Sequence, residues 1–234
     1  MKNPPPRTPQ SLNPLAREVL EALRGRPEAA SIVIGGGVAL QHYLLYRGTM
    51  DLDAWWSQET RDTKAASRAI HETVEALARK HHLNFSVRSF GETESFELRN
   101  GVAKVFSVQI ATRTTELDEP LESEWKPVKI ESLRDNLAAK MNALVNRGAP
   151  RDYLDIFTAC THGIVSPAEC WKLWQAKNPG GDAPQAAAAM LTKLRDIEAR
   201  RPLEKIPDAQ ERDKSAIVRA WFPSEFARAA TVWT

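Results

Sequence analysis

The sequence predicts an α+β protein: a mixed β-sheet flanked by helices, followed by a lobe built almost wholly of helices. Three observations carry this. Apolar residues recur at every second position between Leu83 and Ile110, as Leu83, Phe85 and Val87, then Phe96 and Leu98, then Phe106, Val108 and Ile110. From Ser132 onward they recur at helical spacing instead. Ahead of both, a short apolar run at 31–34 passes through Gly35, Gly36 and Gly37 into Val38-Ala-Leu40, the pattern of strand, tight turn and helix.

With 234 residues, 42% hydrophobic and 26% charged, the chain can bury a sizeable core in one large or two small domains. A net charge of +2 neither demands nor excludes a nucleic-acid partner, so charge does not decide the function. Cys160 and Cys170 have neither zinc-ligand spacing nor the number a disulfide framework needs, which fits a reducing compartment. There is no apolar leader and no run approaching the roughly 18 residues of a membrane span, so a cytoplasmic protein with no membrane partner is expected.

In chain order, prolines at 4, 5, 6 and 9 mark residues 1–10 as a flexible tail. Asn13-Pro14 supplies an N-cap and first helical residue, and Leu15, Val19 and Leu23 repeat at helical spacing up to Gly25. The strand at 32–34 and its glycine turn lead to a helix expected to reach about Tyr46, a strand at 49–55, and a helix from about Arg61 to Lys80. The alternating stretch makes three more strands, with Asn100-Gly101 as a hairpin signal, for about five strands in mixed directions. A further short strand is expected at 128–130, beyond an acidic connector at 114–127. The predicted lobes are an α/β lobe at 11–127 and a helical lobe at 128–234, with helices near 132–147, 151–161, 167–177, 184–200 and from about 208.

Two places stand out chemically. Asp51 and Asp53 alternate with Leu52, so both carboxylates leave one face of a strand while Leu52 points inward. Beside a glycine turn they suit Mg²⁺ and a phosphate together. In the helix from Ser132, Lys140 lies within roughly 60° of Leu133, Leu137 and Leu144 at 100° per residue. A lysine in that stripe must snorkel or meet a negative partner, because an unpaired buried ammonium is costly. Arg147 follows near the same line, and Arg151-Asp152-x-x-Asp155 opens the next helix.

Taken together these residues resemble the nucleotidyltransferase superfamily that includes DNA polymerase β, and specifically its AbiEii and MenT type of bacterial toxin. Gly36-Gly37-x-Ala39-Leu40 with Arg47-x-Thr49-x-Asp51-Leu52-Asp53 is similar to the first motif. Ala139-Lys140-x-x-Ala143-Leu144-x-x-Arg147 with Arg151-Asp152-x-x-Asp155 is similar to the second. The resemblance implies a nucleotidyltransferase-like fold whose helical lobe completes an active-site cleft. It also implies transfer of a nucleoside monophosphate from an NTP to an acceptor hydroxyl with Mg²⁺ or Mn²⁺. In that reading Asp51 and Asp53 ligate the metal, and Gly36, Gly37, Arg47, Thr49, Lys140 and Arg151 contact the nucleotide. Asp152 or Asp155 completes the catalytic set. A tRNA 3′ end or other RNA is the plausible acceptor, and a cognate antitoxin the plausible partner.

Two departures accompany the resemblance. Val38 stands where many superfamily members carry a serine, and Gln109 stands where a third carboxylate is expected on a later strand. They keep two other readings open: transfer to a small molecule or protein hydroxyl, and an NTP-binding or partner-binding module with impaired catalysis. Each feature also has a plain structural reading on its own: a tight turn, a solvated strand face, a snorkelling lysine, an i,i+4 ion pair between Arg151 and Asp155. His42 and the tryptophans read as packing residues.

Overall fold

The computed structural model describes residues 4–44, 47–57, 63–113 and 115–231. The chain divides into two compact units, Lys2–Asn136 and Leu137–Thr234. The division falls inside helix α4 (Leu133–Asn146), beyond the 127/128 boundary expected from the sequence.

The first unit is built on a seven-stranded sheet. Its strands are β1 (Ile32–Ile34), β2 (Asp51–Trp56), β3 (Asn84–Phe90), β4 (Thr93–Asn100), β5 (Ala103–Ala111), β6 (Leu121–Glu122) and β7 (Lys129–Ile130), in the spatial order β3-β4-β5-β2-β1-β7-β6. β2 with β5 and β1 with β7 are parallel, and the other pairs are antiparallel. The sequence pointed to about five strands plus a separate short one at 128–130. That short strand joins the sheet beside β1, and β6 then pairs with it; a two-residue strand carries no period to detect. The β4–β5 hairpin turns one residue later than Asn100-Gly101, because Asn100 itself pairs with Ala103, leaving Gly101 (φ +57°) and Val102 as the loop.

One sheet face is apolar. Leu52, Ala54, Phe96, Leu98, Phe106, Val108 and Ile110 join a core with α1 (Pro14–Leu23) and α3 (Thr63–Lys80). α1 starts where the Asn13 side chain accepts a hydrogen bond from Leu15 N at 2.9 Å, and it buries Ala16, Val19, Leu20 and Leu23. α3 buries Ala66, Ala69, Ile70, Val74, Leu77 and Ala78; Arg61, its expected start, lies outside the described residues. The glycine turn opens a much shorter helix than expected: α2 covers Gly36–Gln41, and Tyr46 lies outside the described residues. His42 follows as a buried packing residue edge-on to Trp125, and burial pushes its pKa down to about 4.

The second unit contains the rest of α4 with α5 (Pro150–Thr161), α6 (Pro167–Lys177), α7 (Ala183–Arg200) and α8 (Ala209–Trp221). Capping side chains explain where several begin: Ser166 and Glu169 form a capping box for α6, and Asp182 and Asp208 cap α7 and α8. Its core is aromatic. Trp171 donates to Phe226 O at 3.0 Å, and the Tyr153 hydroxyl donates to Met190 O at 2.7 Å, so both buried polar tips find acceptors. No helix among the described residues is long and apolar enough to cross a membrane.

Candidate active site

The glycine turn and strand β2 are pressed together. Gly35 N donates to Asp53 O at 2.8 Å, and Gly36 follows in the left-handed region at φ +58°. A Cβ at Gly36 would lie 2.1 Å from Asp53 Oδ2, so the carboxylate occupies the space that any side chain would need. At Gly37 a Cβ would come within 3.2 Å of Thr49 Cβ. Thr49 lies just before the strand and bonds through Oγ1 with the backbone of Asp51. Arg47 is placed by its carbonyl, which accepts from Gln41 Nε2 at 2.7 Å. The structure thus gathers Gly36, Gly37, Thr49 and Asp53 at one spot.

Register defines the face that Asp51 and Asp53 share. Asp51 pairs with Ser107 and Asp53 with Gln109 across the parallel β2–β5 ladder, so these four side chains leave the same side of the sheet. β4 adds Glu97 beside Ser107 and Ser95 beside Gln109. This face is polar where the opposite one is apolar. Glu97 accepts from Arg99 Nε at 3.1 Å.

Asp51 is engaged by Ser107 and by Lys104. Ser107 Oγ donates to Asp51 Oδ1 at 2.7 Å, and Lys104 Nζ donates to the same oxygen at 2.8 Å. Lys104 reaches it because β5 is irregular. Leu98 pairs with Phe106 but Arg99 pairs with Lys104, so Val105 is an extra residue on β5. In a regular strand Lys104 would share the apolar face with Phe106 and Val108.

Behind the turn lies a buried polar network. Asn136 Nδ2 donates to Gly36 O at 3.0 Å and to Glu131 Oε2 at 2.8 Å. Glu131 Oε1 is 2.7 Å from Arg113 Nη1, and the same guanidinium bridges to Asp135. Asp135 Oδ2 also accepts the backbone N–H groups of Leu117 and Asp118 at 2.9 Å. The Tyr43 hydroxyl donates to Glu131 O at 2.8 Å, and Arg113 sits 5.7 Å from the centre of the Trp55 ring. The left-handed peptide at Gly36 is therefore fixed by Asp53 on one side and Asn136 on the other.

The second unit carries the later motif. Lys140 and Asp155 form a buried pair at 2.7 Å. Burial pushes the Asp155 carboxyl up, to about 8, while the ammonium beside it pulls the other way. Asp152 is fully buried and accepts both Arg147 Nε and Nη2 at 2.8 Å, together with Ala149 N at 3.0 Å. It fixes the start of α5. Arg151 is exposed at the rim of a cavity of about 270 Å³ whose walls include Tyr153, Leu194, Ile206 and Val218.

A family model described as the nucleotidyl transferase AbiEii toxin of a type IV toxin–antitoxin system matches residues 18–227. The chain belongs to this family. A comparison with curated proteins finds no match. The match reaches into both units and includes helices α6, α7 and α8.

Within this AbiEii chain, no group of three or more His, Cys, Asp and Glu side chains among the described residues is arranged to hold a metal ion. The donors present still fit a hard divalent cation. Asp51 and Asp53 share a face with the hydroxyl of Ser107 and the amide of Gln109, all oxygen donors, and Asp51 already holds a cationic ammonium. Sequence reasoning missed Lys104, Arg113, Glu131 and Asn136. For the last three the only local signal is Ser132-x-x-Asp135, a capping pattern in which Asp135 N donates to Ser132 Oγ at 3.0 Å.

Proposed function

We propose that this AbiEii-family protein is a metal-dependent nucleotidyltransferase that moves a nucleoside monophosphate from an NTP to an acceptor hydroxyl. The observation that supports this most is the packing of Gly36 against the Asp53 carboxylate, on the strand face shared with Asp51. Such an arrangement serves a reaction whose demands are positioning and charge neutralisation. Asp51 and Asp53 hold Mg²⁺ or Mn²⁺, which supplies charge neutralisation at the triphosphate when bound. The Gly36 and Gly37 backbone, with no side chain in the way, lets phosphate oxygens approach closely, and Thr49 and Arg47 contact them. Lys140, Arg151, Asp152 and Asp155 are assigned nucleotide-contacting or catalytic roles on the resemblance alone. The acceptor hydroxyl gives its proton to water as its oxygen bonds to the α-phosphorus, the bond from that phosphorus to the bridging oxygen breaks, and pyrophosphate leaves.

The type IV family description implies an antitoxin partner. RNA, a tRNA 3′ end in particular, is the acceptor we propose, in a cytoplasmic setting where NTPs are abundant. Incubation with each labelled NTP, Mg²⁺ or Mn²⁺ and total RNA tests this directly. Label on RNA is expected, and Asp51→Ala with Asp53→Ala should abolish it while the fold persists. Full activity in that double variant would place the site elsewhere.

Gln109 beside Asp53 favours a second reading, an NTP-binding module without transfer, because a neutral amide stands at the expected position of a third carboxylate. NTP binding with no labelled product under any metal would select it. Label on a small molecule or a protein, with none on RNA, would move the acceptor instead.

A further inference from the structure

We infer that Lys104 is a resident counter-ion that occupies the cation position at Asp51 and must leave it before a divalent metal binds there. This rests on the reading of Asp51 and Asp53 as metal carboxylates. The ammonium lies 2.8 Å from Asp51 Oδ1, the distance of a charge-assisted hydrogen bond, and 3.4 Å from Ser107 Oγ. It is therefore aimed at an oxygen the metal would need.

The backbone is shaped to deliver it. Lys104, Phe106, Val108 and Ile110 alternate in the sequence, so a regular strand would aim Lys104 into the apolar face. The extra residue at Val105 reverses the side on which Lys104 emerges, and bulges commonly re-aim a side chain in this way beside functional sites.

Charge and exposure then set the consequence. Gln109 adds no charge to the face of Asp51 and Asp53, and Lys104 offsets the charge of Asp51, which weakens the hold of that carboxylate on a divalent ion. The Lys104 side chain is 32% exposed, which lets it swing into solvent at little cost. Removing its charge should tighten metal binding, whereas a merely structural lysine would leave it unchanged.

Mn²⁺ titration of the protein without nucleotide, following free Mn²⁺ by electron paramagnetic resonance, tests this. Lys104→Met should bind Mn²⁺ about fivefold more tightly than the wild type, since the displaced ammonium stays tethered within about 7 Å of the doubly charged ion and repels it even through water. Lys104→Gln should behave like Lys104→Met, and Lys104→Arg should stay within about twofold of the wild type because it keeps the charge. Circular dichroism checks that each variant folds. If Lys104→Met and Lys104→Gln both fold and bind Mn²⁺ no more tightly, while Asp51→Asn still removes the binding, the counter-ion role is overturned and the metal site survives. If Asp51→Asn with Asp53→Asn leaves Mn²⁺ binding intact, or if no variant binds Mn²⁺, the metal-site reading falls and this inference with it.

Discussion

The Lys104–Asp51 pair on the sheet and the Lys140–Asp155 pair among the helices have almost the same length, 2.8 and 2.7 Å, in almost opposite surroundings. Lys104 and Asp51 side chains are 32% and 15% exposed, whereas those of Lys140 and Asp155 are 9% and 0%. In the first, water competes for both charges, so the pair is weak and can exchange its cation. In the second, two charges have already lost most of their hydration, so each is needed to keep the other tolerable. Equal distances thus describe an exchangeable site and a fixed one, and burial separates them.

The largest effect should come from breaking the fixed pair. Lys140→Met leaves Asp155 buried without its cation and should cost about 3–5 kcal/mol in urea unfolding, with much of the loss recovered by adding Asp155→Asn. The pH dependence follows from the sign of the shift. Burial raises the folded Asp155 carboxyl above its unfolded value of 3.8, and removing the ammonium takes away a group that opposes this, so the folded state binds the proton more tightly. Stability of Lys140→Met is therefore greatest below the unfolded value and is lost as pH rises above about 4 through the raised folded value. The double variant should show no such slope, and a pH-independent Lys140→Met would refute the account.

A backbone change at the exchangeable site should rank next. Gly36→Ala places a methyl 2.1 Å from Asp53 Oδ2 and forces alanine into φ +58°, so it should destabilise by about 2–3 kcal/mol and displace the carboxylate. Asn136→Ala acts on the same peptide from the other side by deleting its donors to Gly36 O and Glu131. About 1–2 kcal/mol is expected, the usual cost of leaving buried acceptors unmet. Both should lower Mn²⁺ affinity, Gly36→Ala more, in contrast to Lys140→Met, which breaks a pair confined to the helical unit.

How far the sequence reveals these sites depends on how local their geometry is. Gly36 and Asp53 were legible because a glycine turn and an alternating strand are rules about neighbours in the chain. The helical stripe around Lys140 demanded a negative partner, but only the fold assigns Asp155 to it, since Arg147 and Ala149 N take Asp152. Arg113, Glu131 and Asn136 were invisible because Asn136 meets Gly36 across 100 residues of sequence. α2 ended early for the same kind of reason: the apolar run continues past Gln41, while the backbone turns at His42 and Tyr43. Lys104 was missed because period two aims it at the apolar face, and that rule fails across a bulge.

The smallest predicted stability change is the one that most sharpens the comparison. Lys104→Met removes an ion pair as short as the buried one, yet it should alter unfolding free energy by no more than about 0.5 kcal/mol, because water replaces the ammonium at a partly exposed carboxylate. The same substitution removes the ammonium from Asp51 Oδ1, on the strand face that Asp51 shares with Asp53. Mn²⁺ then meets no competing ammonium at Asp51, so the stability gained when it is added should be larger than in the wild type and be removed by Asp51→Asn. A loss of several kcal/mol in Lys104→Met without metal would instead make this pair a structural one like Lys140–Asp155, and burial would no longer distinguish the two.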